Sequence, residues 1–356
     1  MITVPINTTN PYNVHIGYNI LPTIGEHIKT LLPHTQKVAI ITDETVAALY
    51  LKQTLASLAY ADLTPHVCTL PPGESTKSGA QYLALLNFLT ERGLTRSDCA
   101  LALGGGVIGD LSGFAAATFQ RGIPLVQVPT TLLSMVDSSV GGKTAINLPG
   151  GKNMAGTFHQ PTFVLCDTKT LETLQAINFQ EGIAEIIKYG MIRSTSLLET
   201  LRKDDIYNIS ETLPAVIEAC VKIKCDLVVG DEFDHGHRRL LNLGHTIGHA
   251  IEHLCAYKMT HGHAIAIGMT IDTRAAVTKQ LCPQDCLTQL EHLLTRYHLP
   301  THTNYSAKVL YNVAKTDKKR TGSKITIAAP RHFGHSELLE LPVEALLDWI
   351  TSGVQS

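Results

Sequence analysis

Leu103-Gly104-Gly105-Gly106-Val107-Ile108-Gly109-Asp110 is a glycine-rich turn between an apolar run and a helix-forming one. Cys99 to Leu103 is apolar throughout, as a strand covered on both faces must be. Gly104, Gly106 and Gly109 match the pattern G-x-G-x-x-G. In that pattern the backbone turns tightly, and a phosphate meets free amides at a helix start. The placement departs from the usual dinucleotide fingerprint. The turn comes about 100 residues into the chain, after two strand–helix units, and the position where an acid is expected holds Pro129. Asp43, at the end of an earlier strand, is then the candidate for ribose hydroxyls. A tight strand–helix connection with no ligand is the plain alternative.

Working outward, Lys37 to Asp43 is a β-branched run ending in an acid, and a helical stretch follows from Thr45 to about Ala59. Leu63 to Leu70 reads as a strand, and Ser78 to Arg92 carries apolar residues at helical spacing. Leu125 to Val128 and Phe163 to Cys166 are further strands. Strands separated by helices predict an α/β domain with a parallel sheet over residues 1–175, with ligands at the C-terminal strand ends. From Phe179 onward the pattern predicts helix after helix: 180–192, 195–202, 211–228, 241–255, 262–280, 285–296, 306–315 and 342–350. A short strand pair near Ile325 to Ile327 is the main interruption. Residues 176–356 thus predict an all-α C-terminal domain, the two domains packing around a shared cleft.

Composition removes several classes. Lys+Arg (29) nearly balances Asp+Glu (31), for a formal net charge of -2. No long-range field draws such a chain to nucleic acid or to an anionic membrane. No apolar run approaches the ~18 residues of a membrane span, and Met1 to Pro5 does not begin a secretory signal. Eight scattered cysteines without a C-x-x-C predict reduced, buried thiols in a cytoplasmic protein. Histidine stands out: there are 17, and seven fall between His235 and His263.

Two Gly-Gly-Lys turns lie nine residues apart, Gly141-Gly142-Lys143-Thr144 and Gly150-Gly151-Lys152-Asn153. The stretch reads as too glycine-rich for a helix or strand interior. The first turn looks like the end of a nucleotide-triphosphate P-loop but lacks the upstream glycine at the required spacing. Lysines on flexible turns suit a compact phosphate or carboxylate; two solvated loop lysines are the bland reading. Farther on, His245 and His249 share one helix face at i and i+4. His253, His261 and His263 follow, and Glu185 lies in an otherwise apolar helix, where an unpaired carboxylate is costly. Two histidines and a carboxylate with an open position make a catalytic zinc set. Spacing alone leaves open which of the five histidines are ligands.

These pieces, in this order, resemble the 3-dehydroquinate synthases of the sugar phosphate cyclase family over nearly the whole chain. The segments Asp137 to Thr144 and Asn242 to Glu252 are the most specific. Others are Gly73-Glu74 with Lys77, Gln127 to Leu133, Gly151 to Met154, Ala184 to Gly190, His261-Gly262 and Asp317 to Lys319. The resemblance implies conversion of 3-deoxy-D-arabino-heptulosonate 7-phosphate to 3-dehydroquinate and phosphate, a step of the shikimate pathway to aromatic amino acids. The course is transient oxidation by NAD, phosphate elimination, re-reduction and intramolecular aldol closure. It implies a divalent metal, Zn2+ or Co2+, on Glu185, His245 and His261, with His249 beside it handling a proton or the substrate. Substrate groups would be held by Arg121, Asp137, Lys143, Lys152, Asn153, Lys188, Lys224, Arg238, Asn242 and Lys318 or Lys319. NAD would be held by Asp43, by Glu74, Ser75, Thr76 and Lys77, and by Gly105, Gly106, Val107, Ile108, Gly109 and Asp110. Thr130, Thr131, Lys143, Lys152 and the stretch Thr170, Leu171, Glu172 and Thr173 would complete its site. A homodimer is expected from the family alone.

The chain departs from the family pattern in three places. The acid usual two residues after the third metal ligand is His263, which would weaken metal binding if it were a cation. The proton acceptor before the Gly-x-Arg turn aligns with Asp234, one methylene shorter than the usual Glu. The turn Gly73 to Lys77 lacks bulkier residues. Competing readings are a sister cyclase acting on another sugar phosphate, a metal-dependent polyol dehydrogenase, and a non-enzymatic zinc-storing protein. The carboxylate-binding cations argue against the first, the two Gly-Gly-Lys turns against the second, and the excess of site lysines and arginines against the third.

Overall fold

The computed structural model describes residues 1–203, 206–208, 210–256, 258–315 and 320–354. They form two compact units, Met1–Leu174 with Tyr207–Cys225, and Gln175–Ile206 with Asp226–Ser356.

The first unit holds strands β1 (Ile2–Ile6), β2 (Tyr12–Gly17), β3 (Lys37–Asp43), β4 (Thr64–Leu70), β5 (Cys99–Gly104), β6 (Leu125–Pro129), β7 (Lys143–Leu148), β8 (Gly151–Phe158) and β9 (Phe163–Asp167). Seven of them make one sheet in the order β1-β2-β9-β6-β5-β3-β4. All its pairings are parallel except β1 with β2. Every residue of β5, β6 and β9 is buried, because helices cover both faces. Val38 and Ile40 of β3 face Ile24, Ile28 and Leu58, on the helices Ile24–Leu31 and Lys52–Tyr60. Ala39 and Ile41 face Leu85, Leu89, Ile108 and Leu111, on the helices Gly79–Glu91 and Gly106–Thr118. The period of two along β3 thus feeds two apolar layers. Strand order reverses between β3 and β5, so the crevice at their C-terminal ends is where such sheets take ligands.

One expectation is overturned here. The glycine-rich stretch read as loop is largely an antiparallel hairpin, with Lys143 paired to Phe158 and Ile146 to Ala155. The conspicuous glycines sit at the strand ends. Gly141 and Gly142 turn with positive φ just before β7, and Gly150 and Gly151 make the tip. Between them Thr144 and Ile146 alternate inward in the strand period. Lys143 and Lys152 therefore stand on strands, not on flexible turns. Strands β1 and β2, which precede the first stretch read from sequence, extend the sheet on one edge.

His15 on β2 stacks edge-on to His27 at 5.0 Å, with Phe163 alongside. Burial, and His27 next to it, lower the His15 imidazole below its ordinary 6.5. As pH falls through that value the unfolded chain binds a proton that the folded chain refuses. This stability is therefore present above 6.5 and lost below it. The melting temperature is expected to drop from about pH 7.5 to about pH 5.5, and to drop less in His15→Gln. Equal drops would place the acid sensitivity elsewhere.

The second unit is largely helical, with helices Ala176–Arg193, Thr195–Lys203, His245–Leu254, His261–Thr278, Gln284–Arg296, Ala307–Ala314 and Ala345–Gly353. The helix Thr212–Val229 clusters with the first unit as far as Cys225. The expected all-α character needs correction. Strands β10 (Arg320–Thr321), β11 (Lys324–His332) and β12 (His335–Pro342) form a three-stranded antiparallel sheet. The strand pair glimpsed near Ile325 is its long hairpin, with Ile325 and Ile327 turned inward. Among the described residues no helix is long and apolar enough to cross a membrane. All eight cysteines are free thiols, but Cys68, Cys225 and Cys255 are only half-buried.

Candidate active site

Three ligand atoms converge in the second unit. Glu185 sits mid-helix in Ala176–Arg193 with no exposure, while His245 and His261 each open a helix. Glu185 Oε1 lies 3.7 Å from His245 Nε2 and 3.6 Å from His261 Nε2. All three ligand atoms fall within 4.8 Å of one another. The far side of each ring decides what the near side offers. His245 Nδ1 is 3.1 Å from the Leu243 carbonyl oxygen, which can only accept, so Nδ1 carries the proton and Nε2 presents a lone pair. His261 Nδ1 faces the Glu252 carboxylate at 3.4 Å, with the same consequence.

Three ligand atoms then aim at one point. Lys188 pairs with Oε2, which leaves Oε1 to the imidazoles. Burial opposes a charge on His261, but Glu185 and Glu252 outweigh it and push that imidazole up to about 10, so a cation bound here would take the place of the proton on its Nε2. The pocket asks for positive charge at this point, and the donor set of two nitrogens and one carboxylate fits a divalent cation with an open position.

The helix starts that carry the histidines are anchored from behind. The Gly244 N–H donates to Asp272 Oδ2 at 3.1 Å, and Trp349 Nε1 donates to Asp272 Oδ1 at 2.9 Å. The His261 N–H donates to Glu181 Oε1 at 3.0 Å. Sequence reasoning did not single out Glu181, Glu252 or Asp272. For Glu252 a signal existed, since it lies seven residues after His245, two helical turns along the same face. His249 is half-buried, its ring 5.3 Å from that of His245. His263 meets the Thr260 hydroxyl at 2.7 Å, and burial lowers its imidazole below the ordinary value, against the cation feared from sequence.

Arg238 is buried, and its guanidinium donates to the Glu232 carbonyl. Its loop is gathered by Asp231, which accepts from the backbone N–H groups of His235, Gly236 and Arg238. Asp234 in that loop has φ +63, left-handed backbone that Asp tolerates better than longer side chains. Asn242 closes the turn His237–Asn242 and is half-buried. Asp317, Lys318 and Lys319 lie outside the described residues.

In the first unit the residues expected to hold NAD follow the C-terminal ends of neighbouring strands: Asp43 at β3, Gly105 to Asp110 after β5, Thr130 and Thr131 after β6, and Thr170 to Thr173 after β9. Asp43 caps the helical turn after it through the Val46 N–H. A Cβ at Gly109 would come 2.8 Å from Gln127 Oε1, the far end of a side chain that can turn aside. The Thr130 N–H donates to Gly104 O at 3.0 Å. Tyr50 donates to the Thr170 carbonyl, and Tyr18 to Glu172. Glu74, Ser75 and Lys77 line a cavity of about 440 Å³. Thr76 is buried and bonds back to Pro71 O. Lys77 Nζ reaches Asp110 at 2.6 Å and Asn153 at 2.5 Å, while burial pushes the Asp110 carboxyl up against the pull of Lys77. Lys224 donates to both the carbonyl and the carboxylate of Asp137, at 2.6 and 2.8 Å. Arg121 stands apart from these groups in character, exposed on a turn with φ +67.

Residues 67–181 match the family described as 3-dehydroquinate synthase N-terminal, and residues 182–320 match 3-dehydroquinate synthase C-terminal. The chain belongs to the 3-dehydroquinate synthase family. A 3-dehydroquinate synthase of Enterococcus faecalis is 41% identical over 348 residues, covering 97% of this chain and 96% of its own. Among solved structures, a 2-deoxy-scyllo-inosose synthase with carbaglucose-6-phosphate, NAD+ and Co2+ superposes at TM-score 0.89 with 24% identity, over 99% of this chain and 100% of that one. The 2-epi-5-epi-valiolone synthase of Streptomyces hygroscopicus, with NAD+ and Zn2+, superposes at 0.85 with 26% identity, over 95% and 96%. This chain shares the fold of these cyclases, and its higher identity lies with the synthase.

Proposed function

We propose that this chain converts 3-deoxy-D-arabino-heptulosonate 7-phosphate to 3-dehydroquinate and phosphate, as a lyase of aromatic amino acid biosynthesis. The observation that carries this is the Glu185–His245–His261 set, built on a buried carboxylate, in a chain 41% identical over 97% of its length to a 3-dehydroquinate synthase. Zn2+ or Co2+ held by those three residues would supply a Lewis acid for a substrate hydroxyl, and NAD would supply a transient hydride acceptor.

The chain's own residues have the following parts. In the second unit Lys188 balances Glu185, and its ammonium, with the Arg238 guanidinium, meets the anionic groups of the substrate. Asn242 hydrogen-bonds substrate hydroxyls. His249, beside the ligands, moves a proton at a ring nitrogen, and Asp234 accepts one at its carboxylate. In the first unit the Lys224–Asp137 pair presents one ammonium and one acceptor to substrate oxygens, joined by Arg121, Lys143, Lys152 and Asn153. Asp43, Glu74 to Lys77, Gly105 to Asp110, Thr130, Thr131 and Thr170 to Thr173 hold NAD, with Lys143 and Lys152 reaching it as well. The chemistry is one molecule carried through successive steps, so positioning and fixed charge supply most of the acceleration. A homodimer in the cytoplasm completes the proposal.

Glu252 would orient His261 for the metal. Glu252→Ala is expected to weaken zinc binding between about 10- and 100-fold, read by competition with a chromogenic chelator; unchanged affinity would dismiss it.

The reaction is tested by phosphate release from the heptulosonate phosphate, with the metal-loaded protein, with and without NAD. Stoichiometric phosphate and dehydroquinate that need NAD, with no net NADH, are expected. Release only from sedoheptulose 7-phosphate or glucose 6-phosphate would make it a sister cyclase. Net NADH without phosphate would make it a dehydrogenase.

A further inference from the structure

The hairpin β7–β8 breaks its register between Ile146 and Leu148, and Asn147 sits at the break. A ladder irregularity leaves backbone groups unpaired unless they find partners elsewhere. At Asn147 the backbone N–H and both ends of the side chain find partners. The Asn147 N–H donates to the Lys77 carbonyl at 2.8 Å, outside the hairpin. Its side-chain Nδ2 donates to Glu74 Oε1 at 2.8 Å. Its Oδ1 accepts the Asn153 N–H at 2.9 Å, holding Asn153 at φ +54. The Lys77 ammonium closes the circuit on the Asn153 side chain.

We propose that Asn147 is a positioning residue that locks the Glu74–Lys77 turn to the Lys152–Asn153 strand, so that NAD and the sugar phosphate bind cooperatively. The inference rests on the reading above, in which the turn serves NAD and Asn153 serves the substrate. A primary amide suits the post because it donates at one end and accepts at the other, which neither Asp nor Leu can do. Whichever ligand binds first orders both segments, and the second then binds to a surface already fixed.

The test uses the full-length, metal-loaded protein and the variants Asn147→Ala and Asn147→Asp. NAD affinity is read by fluorescence titration without substrate, and KM for the heptulosonate phosphate at saturating NAD. Asn147→Ala is expected to raise both constants about tenfold, the worth of a lost hydrogen bond to a charged partner, with kcat within about threefold. Asn147→Asp keeps an acceptor for Asn153 but sets a second carboxylate against Glu74. It is expected to weaken NAD at least as much as the Ala variant while raising KM less. That split separates positioning from mere folding. Asp and Ala variants that move both constants alike would overturn the proposal. So would a fall in kcat alone, or a melting point lowered by more than about 5 °C with neither constant changed. The NAD titration needs no turnover, so it stands even if the protein proves inactive on this substrate.

Discussion

Glu185→Gln is expected to cut kcat about a thousandfold and to leave NAD affinity untouched. A metal ion that stabilises developing charge is worth several kcal/mol, and about 4 kcal/mol is about three decades in rate. The amide keeps the shape of the side chain but brings one neutral oxygen where the two imidazole lone pairs meet a charged one. Metal content should fall with activity. The substitution has a structural side too, because Lys188 is 1% exposed and loses its carboxylate. Stranding a buried charge costs about 3–5 kcal/mol, so the single variant is expected to melt earlier. The double variant Glu185→Gln with Lys188→Met removes both charges and should regain much of that stability while staying inactive and metal-poor. Turnover within about tenfold of wild type in Glu185→Gln would put the metal, and the chemistry that depends on it, on other residues.

The helical and parallel-strand plan was legible because its signals are local. The runs Val38 to Ile41 and Cys99 to Leu103 are apolar, short and bounded, and each lies buried in a strand. The hairpin β7–β8 was not legible, since its glycines were weighed by number rather than by place. They mark its ends, and the alternation of Thr144 and Ile146 was the better signal. The metal set shows a different limit. The i,i+4 pair His245 and His249 is what a sequence displays, yet the pair that meets Glu185 is His245 with His261, on separate helices. No local periodicity encodes that meeting. It depends on how closely two helices cross, and on Glu181, Glu252 and Asp272, which hold ring and backbone from behind. The resemblance to the synthases brought those ligands to notice, where spacing left five histidines equal.

That crossing yields the second large effect. Gly268 lies in the middle of the helix His261–Thr278, where alanine should be preferred by about 1 kcal/mol. A Cβ at this position would stand 2.0 Å from Gly244 O and 3.0 Å from the Gly248 backbone nitrogen. Both atoms are main chain at the start of the helix that carries His245, so no side chain can yield to make room. Gly268→Ala must therefore push the two helices apart, and overpacking against backbone costs about 3 kcal/mol or more. The expected sign opposes helix propensity, which makes the result easy to read by calorimetry. The same displacement moves His245 away from His261, so zinc affinity should fall further than stability does. A variant that melts higher than wild type, as propensity alone demands, would show that the two helices can part. The close approach at Gly244 would then not be what sets the distance between the two imidazoles.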